Sequence, residues 1–233
     1  MTETGTQTRR ERLEKRETAI VSAAHDVFAE HGFDGAKMTD IARGADVAEG
    51  TIYLYFRNKN ALLQAVVSKF YDRLTAGADA GVAKVQGTFE RLEFLARHHL
   101  VNCLAEWRIL ELAIGLYRFM PDYASDGHYK LNKAYVAVFD GVIREAGNRH
   151  DIRNDIPLWV IRDLFYGSLE YSARTQVLRG RPDNIDFIVT NLMTIIRQGI
   201  GVSGNEKRAD GTRNLVSIAE RLEAITERLE KTS

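Results

Sequence analysis

The chain of 233 residues has little that could staple or anchor it from outside a hydrophobic core. It has a single cysteine, Cys103, which excludes a disulfide framework and a cysteine-built zinc site and makes a reducing cytoplasm the expected compartment. Prolines occur only at 121, 157 and 182, so long stretches are free to run as helix. No apolar run approaches the roughly 18 residues that a membrane span requires. Met1 to Arg16 is too polar for a signal peptide, and no membrane partner is expected. Net charge is absent too: 32 Lys and Arg balance 32 Asp and Glu. Even residues 1–60 hold nine basic side chains against ten acidic ones, so any role on nucleic acid has to come from the placement of charge and not its total.

What the chain does have is helical periodicity. Ile20, Ala23, Ala24, Val27 and Phe28 form one apolar stripe in a helix over 18–31, which Gly32 is placed to end in a left-handed cap. Thr39 is the expected N-cap of a second helix carrying Ile41, Ala42 and Ala45 inward. A turn at Asp46-Val47-Ala48 leads to a third helix over 49–56. Arg57-Asn58 breaks it, and Lys59 opens a fourth reaching about residue 75. Gly77, Gly81 and Gly87 make 76–88 read as a loosened junction. Further helices are expected over 88–103, 104–119, 129–146, 158–179 and 183–200. No segment alternates as a strand would, so the fold class is all-α. The ends are less defined. Residues 1–16 read as a flexible basic arm, with Arg9, Arg10, Arg12, Lys15 and Arg16 against two acidic residues over 9–16. Such an arm reaches phosphates or a minor groove, or is only a solvated tail. Residues 201–233 read as a linker and an amphipathic helix with Leu215, Ile218, Leu222, Ile225 and Leu229 in heptad spacing, either a short coiled-coil seam or a helix laid on the body.

Residues 39–59, T-D-I-A-R-G-A-D-V-A-E-G-T-I-Y-L-Y-F-R-N-K, carry the functional signal. A short helix, a tight turn and a second short helix make a helix-turn-helix. Val47 and Ile52 dock the second helix and Phe56 anchors its end, which turns Glu49, Gly50, Thr51, Tyr53, Leu54 and Tyr55 outward. That surface suits phosphates and base edges better than bare water. Two positions are unusual: Asp46 must take the turn conformation that glycine takes most easily, and Ala48 forfeits a side-chain cap for the second helix.

The run G-T-I-Y-L-Y-F-x-N-K resembles the recognition helix of the TetR/AcrR family, and F-A-E-H-G-F with M-T-D-I-A resembles its lead-in; the likeness covers residues 18–65. It implies that Thr39 and Tyr53 touch phosphates, that Lys59 clamps another, and that Glu49, Gly50, Thr51 and Leu54 face base edges. Lys37 and Tyr55 complete the expected set. It also implies a division into a helix-turn-helix domain over 17–63 and an effector-binding and dimerisation domain over 64–200, in a homodimer that holds palindromic operator DNA until a small apolar effector binds. The runs F-D-G-V-I-R-E-A and L-F-Y-G-S-L-E are similar to the FadR-like branch, which implies a long-chain acyl-CoA as effector, in a tunnel whose mouth holds basic residues drawn from Arg108, Arg118, Arg162 and Arg174. The expected effector contacts are Leu100, Trp107, Arg108, Leu110, Ile114, Phe139, Phe165 and Ser168. The expected dimer interface, a four-helix one, uses Leu164, Tyr171, Ile188, Leu192 and Ile195. A second reading stays open, in which a protein partner acting through 215–229 replaces the small molecule.

No cofactor or enzyme activity is expected. Residues 199–204 fit G-x-G-x-x-G but follow a helix and not a strand. His98 and His99 point about 100° apart on a helix, and Gly167-Ser168-Leu169 is no nucleophile elbow.

Overall fold

Thr8 is the N-cap of the first helix. Its side chain accepts from the Glu11 amide at 3.3 Å while the Glu11 carboxylate accepts from the Thr8 amide at 2.9 Å, a capping box that opens helix α1 (Arg9–Gly35). In this computed structural model, which describes residues 8–117, 127–180 and 184–202, the basic stretch over 9–16 is therefore helical and not a flexible arm. The Arg10–Glu14 pair at 2.7 Å adds local support, and every residue from 8 to 19 is exposed. The expected C-terminal helix, Arg118 and most of the loop over 121–127 lie outside the described residues.

Eight more helices follow among the described residues: α2 (Met38–Gly44), α3 (Glu49–Tyr55), α4 (Lys59–Val82), α5 (Thr88–Ala105), α6 (Trp107–Tyr117), α7 (Gly127–Asn148), α8 (Leu158–Arg179) and α9 (Ile185–Ile200). The only strand-like pairing among those residues is an isolated bridge between Ile152 and Gly201. Gly32 interrupts α1 with φ 69° and ψ −176°, so the chain swings outward in place of the expected left-handed cap. Lys37, not Thr39, caps α2: its carbonyl takes the Asp40 and Ile41 amides, and Thr39 already lies inside the helix. The residues over 76–82 do not loosen. They continue α4, and Gly77 and Gly81 sit where a Cβ would strike His98 and the Phe94 ring of α5, so both glycines serve close helix packing.

Two hydrophobic clusters form. The head cluster gathers Ile20, Phe28, Ile41, Ile52, Leu62 and Val67, and it also takes Ile109 and Ala113 from α6. The body cluster runs from Phe70 and Leu74 through Leu95, Leu100, Phe139, Phe165 and Leu169 to Ile200. The change-over falls between Val67 and Phe70, within α4, and α6 reaches back across it. A cut at residues 63 and 64 does not divide the two cores, because α4 runs through that point and feeds both.

Candidate nucleic-acid interface and interior cleft

The turn between α2 and α3 is closed by backbone. The Ala45 amide donates to the Ile41 carbonyl at 2.9 Å and the Val47 amide to the Ala42 carbonyl at 3.0 Å. Asp46 takes φ 53°, the conformation a short polar side chain tolerates best after glycine. Ala48 caps α3 without a side-chain hydrogen bond, as its identity requires. Ile52 is wholly buried and pins α3 to the head, so Tyr53 and Leu54 must face outward, 48% and 83% exposed. Gly50 is exposed as well, Glu49 and Thr51 are half-buried, and Tyr55 packs partly against the head core. Lys37 and Thr39 lie exposed at the start of α2, on the other arm of the same turn. Lys59 is more constrained than its type suggests. Its ammonium donates to the Asp34 carbonyl at 3.4 Å and lies 4.7 Å from the centre of the Phe33 ring, which leaves two of its three donors for another acceptor.

A cleft of about 880 Å³ lies in the body. Tyr71 and Leu74 of α4 and His99 and Cys103 of α5 back it, Trp107, Leu110 and Ile114 of α6 line it, and α7 and α8 form its long sides. Its α7 residues run from Tyr129 to Arg144, a length of about 22 Å at the helical rise. Because α7 and α8 line it in opposite directions, Arg144 and Asp140 share one end with Arg162 and Asp163, and Tyr129 and Lys133 share the other with Glu170, Tyr171 and Arg174.

The cleft is more polar than the sequence suggested. Asp140 is buried and takes two hydrogen bonds from Arg162, at 3.0 and 3.3 Å, with Arg144 at 3.6 Å. His99 is buried between the Tyr135 hydroxyl, 3.0 Å from Nδ1, and the Cys103 sulfur, 3.3 Å from Nε2. Burial, helped by His98, pushes its pKa down to about 3, so the ring is neutral and holds one proton to share between two partners. Burial also pushes the Cys103 thiol up, with the charge of Glu170 adding to it, which leaves the thiol protonated and unreactive. Burial raises the Glu170 carboxyl likewise: the side chain reaches solvent through the cleft but is crowded by protein.

Of the expected effector contacts, Trp107, Leu110 and Ile114 line this cleft. Leu100, Phe139 and Phe165 do not: all are wholly buried in the core behind it. Arg108 is exposed and outside it, and Ser168 turns its hydroxyl back to the Phe165 carbonyl at 3.0 Å. Arg162 and Arg174 do line it, and so does Tyr171, expected at a dimer interface. Sequence reasoning left out Asp140, Tyr166 and Glu170. Their signal was a polar group on the apolar face of a helix, as Asp140 sits beside Phe139, Val142 and Ile143. Of the remaining interface expectations, Leu164 and Ile195 are exposed, while Ile188 and Leu192 pack partly against the body core. Leu178 and Phe187 extend the exposed apolar face.

Head and body are tied by an ionic contact. His25 of α1 bonds Glu106, the residue between α5 and α6, at 2.6 Å, and Glu106 also receives Arg73 of α4 at 2.9 Å. Burial alone would lower His25. Its hydrogen bonds to Asp26 and Glu106, with their charges, outweigh that and raise its pKa.

Residues 20–66 match the family described as bacterial regulatory proteins, tetR family. The chain is 23% identical over 184 residues to the fatty acid metabolism regulator protein of Bacillus subtilis (strain 168), covering 78% of this chain and 93% of the other. Two solved structures are similar in fold, each with a TM-score of 0.64. The regulator FadR of Bacillus subtilis in complex with stearoyl-CoA is 21% identical, covering 77% of this chain and 96% of its own. The fatty acid degradation regulator FadR of Bacillus halodurans is 24% identical, covering 78% and 98%.

Proposed function

The chain is a transcriptional regulator with a DNA-binding domain of the TetR family, and from that premise we propose that it is a cytoplasmic homodimeric repressor released from its operator by a small molecule bound in the cleft. One observation carries the reading. Helix α6 turns Trp107, Leu110 and Ile114 into the cleft, Ile109 is buried in the core of the head, and Ala113 belongs to both. An effector that moves α6 therefore moves the packing that positions α3, and an effector with different affinities for the two arrangements shifts their populations.

Tyr53, Leu54, Thr51, Gly50 and Glu49 form the reading surface, with Lys37, Thr39, Tyr55 and Lys59 around it. Two such surfaces, about 34–36 Å apart or a multiple of that, fit a palindromic operator. The exposed apolar side chains of α8 and α9, Leu164, Leu178, Phe187 and Ile195, make the proposed dimer interface. The effector is a long-chain acyl-CoA. Its chain lies along Leu74, Leu110 and Val136, and Lys133, Arg144, Arg162 and Arg174 supply cations for its phosphates. The complex of the Bacillus subtilis relative supports this choice.

The test is an operator-release assay at fixed salt with stearoyl-CoA on the full-length dimer. Release at micromolar effector is expected. If operator binding is unaffected by stearoyl-CoA and by octanoyl-CoA alike, the acyl-CoA reading is lost.

A further inference from the structure

Tyr166 and Glu170 stand one turn apart on α8, and both line the cleft. The Tyr166 hydroxyl is buried without a hydrogen-bond partner. The Tyr135 phenol reaches toward it and interacts with it, but not in hydrogen-bond geometry, and the Tyr135 hydroxyl lies 3.0 Å from His99 Nδ1. Buried hydroxyl donors are nearly always satisfied, and one left unmade costs more than a typical hydrogen bond contributes. Glu170 opens to solvent through the cleft, and its carboxylate, which can only accept, makes no hydrogen bond or ion pair with the protein among the described residues, although Arg174 follows four positions later on the same helix.

A saturated chain laid along α8 covers both groups and satisfies neither. A hydroxyl on the chain satisfies both, accepting from Tyr166 and donating to Glu170. An ammonium fits less well, because Lys133 and Arg174 already line that end of the cleft. Resting on the effector reading above, we infer that the cleft selects a chain bearing a hydroxyl group, held between the Tyr166 hydroxyl and the Glu170 carboxylate.

The experiment titrates the operator-bound full-length dimer with palmitoyl-CoA and with three hydroxypalmitoyl-CoA isomers, hydroxylated near the thioester, at mid-chain and at the terminal carbon. At least one isomer is expected to release the operator at about tenfold lower concentration than palmitoyl-CoA. Glu170→Leu and the conservative Tyr166→Phe should each reduce that advantage to less than about twofold, and retained operator binding shows that each variant is folded. Palmitoyl-CoA as effective as every isomer on the wild type overturns the inference and leaves the effector reading standing. An advantage that survives in both variants also overturns it. Release by none of the four overturns both.

Discussion

In the head, Ile20, Phe28, Ile41 and Ile52 close on one another without a polar group among them, and the side chains offered for recognition, Tyr53 and Leu54, point outward. In the body, α5, α7 and α8 do the reverse. They enclose His99, Asp140 and Tyr166 around a cleft and leave Leu164 and Leu178 on the outside. On the proposed reading, the head works through its surface on a tightly packed support, and the body works through its interior. Substitutions should therefore separate: in the head, stability and recognition reside in different residues, while in the body they overlap.

The largest expected effect tests the packed support. Phe28→Ala, at a wholly buried site stacked on Phe33, should cost about 3–5 kcal/mol in urea unfolding. A loss under about 1 kcal/mol would mean that the head core is slack, and the contrast with the body would fail. The next effect tests the surface. Tyr53→Ala should weaken operator binding at least about tenfold while unfolding, dimerisation and effector affinity stay as they were. If all of these fell together, Tyr53 would belong to the core.

The smallest effect tests the join. His25 has a folded pKa above its ordinary value of 6.5, so its contribution to stability is fully present below 6.5 and lost as pH rises through the raised value. Glu106→Gln removes one of the two carboxylates that raise it. The destabilisation by Glu106→Gln should be greater near about pH 6 than near about pH 8.5, by no more than about 1 kcal/mol for a partly exposed pair. Equal losses at both pH values would uncouple His25 from Glu106.

The same contrast explains what the sequence made legible. The head motif is contiguous, and the run from Thr39 to Lys59 contains the turn, the docking residues and the exposed face. One misplaced feature, the cap at Thr39, depended on the backbone of Lys37, which residue type does not reveal. The cleft is drawn from five helices between Tyr71 and Arg174. Periodicity identified Leu100, Phe139 and Phe165 as inward-facing, which they are. It could not distinguish a residue facing a cavity from one packed behind it, since both leave the same stripe. As residue types, Glu170 and Asp140 gave no signal of their own, because a charge on a helix is solvated far more often than enclosed.

The passage of α6 into the head has a consequence for biosynthesis. Ile109 and Ala113 emerge from the ribosome long after Val67, the last residue that the rest of the head core needs. Roughly 46 residues separate Val67 from Ala113, a delay of roughly 2–9 s at about 5–20 residues per second. Through that interval the nascent head lacks two of its wholly buried neighbours. On the proposed reading, the reading surface becomes fully supported only once the helix that also lines the cleft has been made.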